Sequence, residues 1–135
     1  MSLIIYAVTR PHQLRWWQWG QILGIVLPLL LFFTGIQHTL LWALAVHVLM
    51  DFTLQSDETA AGKARGEWRV LTYHAFISGG YTGLIIAGLP GLVVSAVFHF
   101  LVDATNKFGL TGVVGAVVDQ AAHIVTLIVI WWFLS

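Results

Sequence analysis

Histidine and aspartate recur in this chain at a fixed spacing. His-x3-Asp occurs at His47 and Asp51 and again at His99 and Asp103, and the reverse, Asp-x3-His, occurs at Asp119 and His123. On a helix a separation of four residues puts both members on one face, one turn apart. All three pairs, and a further histidine, His74, sit within long apolar stretches. An aspartate at the centre of a membrane-spanning helix costs about 2.5–3.5 kcal/mol on insertion scales, so three of them call for compensation. Imidazole and carboxylate, with no thiol in the chain, are the ligand set of Zn²⁺, Fe²⁺ or Mn²⁺. The spacing therefore marks His47, Asp51, His74, His99, Asp103 and His123 as candidate metal ligands. Asp119 is the candidate catalytic carboxylate, left over to accept a proton. Two plainer arrangements use the same residues. In one, each pair satisfies itself as a His–Asp hydrogen bond that locks helix packing; in the other, some aspartates only orient a ligating histidine through its other ring nitrogen.

The elements that must carry these residues are membrane helices. Of the 135 residues, 59% are hydrophobic and 9% charged, with mean hydropathy +0.86, whereas a water-soluble domain carries roughly 25% charged residues. The net charge is zero and no basic run occurs, which excludes nucleic acid as a partner. The absence of cysteine excludes disulfides, thiolate metal sites and cysteine nucleophiles. The apolar run at residues 3–8 is too short for a cleavable signal, and no small-residue cleavage site follows it.

Residues 16–50 and 70–102 contain no Asp, Glu, Lys or Arg. Each stretch is much longer than the roughly 20 residues one helix needs to cross hydrocarbon, so each must double back. The natural breaks are residues 35–39 and the Gly88-Leu89-Pro90-Gly91 turn signal. The expectation is an all-α integral membrane bundle of about five spans in a single domain, near 19–35, 39–54, 70–87, 91–106 and 110–134. The one sizeable polar loop, residues 56–67, carries Asp57, Glu58, Lys63, Arg65 and Glu67.

With five spans, all six basic residues (Arg10, Arg15, Lys63, Arg65, Arg69 and Lys107) fall on one side. The positive-inside rule makes that side cytoplasmic, with the N-terminus inside and the C-terminus outside, as for a bacterial inner membrane. Trp16, Trp17, Trp19 and Trp68 then mark the inner interface, and Trp42, Trp131 and Trp132 the outer one. The four His/Asp-bearing helices share the cytoplasmic half of the bilayer, where a bundle can converge them on one cavity. The element at residues 47–55 also aligns with that at 99–107, and a histidine-bearing helix follows each, so spans two–three and four–five read as copies of one hairpin with a site at their interface.

Other features are read more simply. His12 and His38 fall at interfaces. Gly20-x3-Gly24 and Gly79-x3-Gly83 allow close helix approach, inside the bundle or between protomers. Pro28 is assigned a kink in a lipid-facing span. Gln55, Lys107 and Gln120 extend the polar faces, with Lys107 snorkelling to the interface.

At these motifs the chain resembles a family of small bacterial membrane proteins, domain of unknown function 3307. The family pattern is His-x3-Asp-Phe-x-Leu-Gln, a histidine after a Lys-containing loop, His-x3-Asp-x3-Lys, and Asp-Gln-x2-His. Here these read as residues 47–55, His74 after Lys63, residues 99–107 and residues 119–123. The resemblance covers about residues 41–127 and implies a compact helical membrane protein; it brings no established activity.

Three functions from different classes compete. The first is a metal-dependent hydrolase acting on a lipid-like substrate at the cytoplasmic leaflet. The second is a proton- or metal-conducting module that uses the same residues as a relay. The third is a non-catalytic subunit of a larger membrane assembly or homo-oligomer, for which the small size argues. Haem ligation by paired histidines is weaker, because an aspartate one turn away competes for the same space.

Overall fold

The computed structural model describes residues 16–35, 38–105 and 112–135. Arg10, His12, Arg15, Gln37 and Lys107 lie outside the described residues, as do the side chains of Trp16 and Trp17. All regular structure among the described residues is helical: α1 (Trp16–Thr34), α2 (Thr39–Val48) continued by a π-helical turn (Leu49–Thr53), α3 (Asp57–Ala64), α4 (Trp68–His74) continued by a second π-helical turn (Ala75–Gly80) into α5 (Tyr81–Ala104), and α6 (Gly112–Leu134).

Residues 68–104 form a hairpin. A straight helix of that length would run about 55 Å and place Gly79 about 30 Å from His99, at 1.5 Å per residue. Instead a Cβ at Gly79 would strike the His99 side chain, 2.8 Å from its Cγ, and one at Gly83 would strike the Gly91 carbonyl. The reversal is at Ala87 (φ −142°, ψ 27°) and Gly88 (φ 61°, ψ −146°). The Gly88 conformation is one that side-chain-bearing residues avoid. Pro90, with no N–H to satisfy, is suited to open the returning helix. The turn signal at residues 88–91 thus marks a real fold-back, and the glycines of residues 79–83 let its legs touch.

The other glycine pair serves the same end within the chain. Gly20 lies against the Phe52 ring and Gly24 against Thr53 and the Val48 carbonyl, so α1 packs directly on the first π-helical turn. Thr53 Oγ1 fastens this contact by donating to the Gln21 carbonyl at 2.8 Å.

By length and composition, two helices suffice to cross a membrane, Trp68–Ala104 and Gly112–Leu134, or three if the bent pair Thr39–Thr53 and Asp57–Ala64 counts as one. This differs from the expected five for identifiable reasons. Both legs of the hairpin count as one continuous helical segment across the fold-back at Gly88, and α1 has only a shorter apolar stretch, Gln18–Thr34. The second expected span ends at an 89° bend into α3.

The distribution of polarity is the reverse of a water-soluble fold. Buried residues include His47, Asp51, His74, Ser78, Thr82, Ser95, His99, Asp103, Asp119 and His123, while Leu30, Phe32, Phe33, Leu89, Val117, Trp132 and Phe133 are more than half exposed. A largely apolar exterior around a polar interior suits hydrocarbon as the surrounding medium. The interior has two ends. Ala43, Ile86, Leu127 and Ile130 form an apolar cluster beside the hairpin tip; the ionisable residues gather at the other end, where α2 finishes and α6 begins.

Candidate metal centre

Four helical segments deliver the ionisable residues to one place. Asp51 comes from the π-helical turn after α2, His74 from the end of α4, His99 and Asp103 from the returning leg of α5, and Asp119 and His123 from α6. Each is 6% exposed or less. A π-helical turn rotates the following residues relative to an α-helix and recurs at functional sites. Here one such turn carries Asp51 and the other begins directly after His74.

The contacts cross between helices more than they follow them. His74 Nε2 lies 2.7 Å from Asp51 Oδ1 and 3.7 Å from Asp103 Oδ2. His99 Nε2 lies 3.6 Å from Asp51 Oδ1 and 3.5 Å from Asp103 Oδ2. His123 Nε2 lies 3.7 Å from Asp103 Oδ1 and 3.9 Å from Asp119 Oδ1. The His99 and His123 rings stack, with centroids 3.9 Å apart. Of the three spaced pairs, His99–Asp103 and Asp119–His123 approach within 4 Å. His47 and Asp51 do not, because the π-helical turn that starts at Leu49 includes Asp51, which meets His74 instead. His47 is 1% exposed with no hydrogen-bond partner on either ring nitrogen. It stands at the edge of the group, its ring 5.2 Å from that of His123 and 5.6 Å from that of His99, lining a small pocket with Thr82, Ser95 and Thr126.

Two members were not among the residues singled out by spacing. Lys63, on the last turn of α3, reaches into the group: its Nζ lies 3.0 Å from Asp103 Oδ1, 3.0 Å from His74 Nε2 and 3.8 Å from Asp51 Oδ1. The Asp103 contact is an ion pair without hydrogen-bond alignment, since neither Asp103 oxygen has a hydrogen-bond partner. Burial opposes the charge on Lys63, but Asp51 and Asp103 outweigh it and raise its pKa above the ordinary 10.5, so the side chain is an ammonium at neutral pH. Local structure aims it there. Ser56 caps α3, accepting from the Thr59 N–H at 3.1 Å. Gly66 (φ 70°) closes the helix, its N–H bonding the Lys63 carbonyl while the Glu67 N–H bonds that of Gly62, each at 3.0 Å. The only hint in the sequence was a lysine in the loop before His74. The second member is Gln120, whose Nε2 donates to Asp51 Oδ2 and, at 3.3 Å, to Asp119 Oδ2.

The donor set fits a divalent cation. Ligands 2.0–2.2 Å from one ion sit at most about 4.4 Å apart, and the His–Asp spacings above fall within that. Asp51, His74 and His99 can converge their donor atoms, as can His99, Asp103 and His123, and Asp51, Asp119 and His123. Several of these atoms are buried without a hydrogen bond: His99 Nε2, His123 Nε2, both Asp103 oxygens and Asp119 Oδ1. Moreover, a single atom, His74 Nε2, faces an acceptor, Asp51 Oδ1, and a donor, Lys63 Nζ. One ring nitrogen cannot donate to the first and accept from the second, whichever tautomer it takes. Buried His/Asp groups that can hold a metal ion are therefore a property of this fold.

Substituting Lys63→Met should expose how the carboxylates are neutralised. In chelator, stability is expected to fall by about 3–5 kcal/mol, the usual cost of removing one partner from a buried ionic group. Added divalent metal should recover much of it. Thermal unfolding in detergent with and without metal measures both.

The chain belongs to the family described as protein of unknown function (DUF3307), whose model matches residues 39–135. That match takes in every His/Asp element described above. Comparison with curated proteins and with solved structures gave no match.

Proposed function

We propose that the protein is a five-span membrane protein whose His/Asp centre binds a divalent metal, Zn²⁺, Fe²⁺ or Mn²⁺, and hydrolyses a lipid-like substrate at the cytoplasmic leaflet. One observation carries this reading: His74 Nε2 and His99 Nε2 each lie 2.7–3.7 Å from both Asp51 Oδ1 and Asp103 Oδ2. The ligand–ligand distance around a tetrahedral ion is about 3.4 Å. Such an ion would supply Lewis acidity and an activated water. In a one-ion centre Asp119 is the carboxylate left over to accept a proton, 3.9 Å from His123 and held by a hydrogen bond from Gln120. Lys63 supplies positive charge on the side where an anionic head group would approach.

The conducting alternative is less well supported. A proton relay needs titratable groups hydrogen-bonded in series; the run His74–Asp51–Gln120–Asp119 is interrupted by the Gln120 amide, and His47, His99 and His123 meet through ring faces and edges. The subunit alternative makes no demand on the donor geometry and stands if no metal is bound. Elemental analysis of protein purified in detergent tests the proposal, followed by release of fatty acid or phosphate from phospholipid micelles. Substoichiometric metal would defeat it; metal without hydrolysis would defeat the enzymatic part.

Five crossings are supported by the fold-back at Gly88 and by the helical legs on both sides of it. The orientation rests on the basic residues. A C-terminal fusion is expected to be active with a reporter that works outside the cytoplasm and silent with one that works inside; the opposite result would reverse the topology.

A further inference from the structure

Resting on the metal reading above, we infer that the centre is built for two divalent ions, with Asp103 as the bridging carboxylate and Lys63 standing in for the charge of the second. The two oxygens of Asp103 address different partners. Oδ2 faces His74 and His99 at 3.7 and 3.5 Å, whereas Oδ1 faces His123 at 3.7 Å and Lys63 at 3.0 Å. The first set, completed by Asp51 Oδ1, holds the ion already assigned. The second set gathers on His123 Nε2, which lies 3.7 Å from Asp103 Oδ1 and 3.9 Å from Asp119 Oδ1. Asp51 can also bring an oxygen within 4.8 Å of both Asp119 and His123. Two independent donors point into this second set without a hydrogen bond, His123 Nε2 and Asp119 Oδ1, on residues 2% and 4% exposed. Ions bridged by a carboxylate in hydrolytic sites stand about 3.5–4 Å apart, which the two ends of one carboxylate accommodate.

Charge decides why Lys63 belongs in the same account. As metal ligands the three buried carboxylates are ionised and call for three positive charges in an apolar surround. With the Lys63 ammonium in place, one divalent ion completes them. With Lys63 withdrawn, two divalent ions and one hydroxide do so equally well. Lys63 and the second ion are thus alternatives. The Lys63 side chain is also the most exposed in the ion-paired group, at 12% against 1–6% for its histidine and aspartate partners. Its helix, α3, lies outside the bundle of long helices. In this arrangement Asp119 is a ligand and not a free proton acceptor.

The test is metal stoichiometry in tag-free protein equilibrated with Mn²⁺, read by elemental analysis and by electron paramagnetic resonance. Wild type is expected to take up two ions per chain with an exchange-coupled spectrum, and Lys63→Met to bind the second at least tenfold more tightly. Asp119→Asn is expected to retain one ion with an uncoupled spectrum. Saturation at one ion in both wild type and Lys63→Met would overturn the inference and leave the one-ion reading standing. No bound ion in either would overturn both. Two coupled ions in Asp119→Asn would overturn the second ligand set. Two exchange-coupled ions in the wild type would establish the pair even if a variant fails to fold.

Discussion

Replacing His99 by alanine is expected to abolish stoichiometric metal binding and to destabilise the protein by about 3–5 kcal/mol, the largest effect of any single histidine. His99 is the hub of the centre. Its Nε2 stands within 3.6 Å of Asp51 and Asp103, two carboxylates from different helices, and its ring stacks on His123. Truncation leaves those carboxylates buried with one fewer partner and opens space against Gly79, whose backbone packs on the His99 side chain. His38→Ala is the matched control: His38 is exposed and its ring lies 5.7 Å from that of Trp131, far from the centre. That change should stay within about 0.5 kcal/mol. Elemental analysis and thermal unfolding of the two variants side by side provide the measurement. Equal metal content in both would remove His99 from the ligand set, whatever the stability change.

Gly83→Ala is expected to destabilise by about 1–3 kcal/mol or more, whereas Gly80→Ala, three residues earlier, should be neutral or slightly stabilising. Both glycines are buried in the same leg of the hairpin. A Cβ at Gly83 would collide with the Gly91 carbonyl and stand 2.5 Å from Ser95 Cβ, neither of which can yield without parting the legs. A Cβ at Gly80 would meet Ala96 Cβ at 3.5 Å and Leu92 at 3.6–3.7 Å, all ordinary contacts. Because His99 and Asp103 ride on the returning leg, Gly83→Ala should also weaken metal binding while touching no ligand. Unfolding transitions of the two variants, with metal content measured in parallel, check both effects. If Gly83→Ala were as stable as Gly80→Ala, the close hairpin would be wrong.

Much of this arrangement was legible in the residues. The buried identity of His47, Asp51, His74, His99, Asp103, Asp119 and His123 followed from the cost of placing such groups in an apolar stretch, which leaves them nowhere to face but inward. The fold-back at Gly88 followed from turn chemistry that is local in sequence. Who pairs with whom did not follow. Spacing suggested that His47 serves Asp51, but the π-helical turn at Leu49–Thr53 changes the register between them, and Asp51 meets His74 across the bundle. A π-helical turn carries no signature in residue type; it is selected by packing, here that of α1 glycines against Phe52 and Thr53.

Lys63 shows the same division most clearly. By sequence it is a charged residue in a polar loop; the structure makes most of that loop a short helix, capped by Ser56 before it and closed by Gly66 after it. Nothing in that pattern separates it from Arg65, which pairs at the surface with Glu67 at 2.5 Å. Only the tertiary structure turned one of the two inward. Gly62 closes on Val70, within 2.9 Å of where a Cβ would be, and this brings the last turn of α3 over the open end of the bundle. Sequence alone determined that the carboxylates must be buried and must be neutralised, because hydrocarbon tolerates neither exposed nor unpaired charge. Which cation lies beside them depends on distances between helices, set by backbone contacts at glycines far apart in the chain, and those exist only once the bundle has closed.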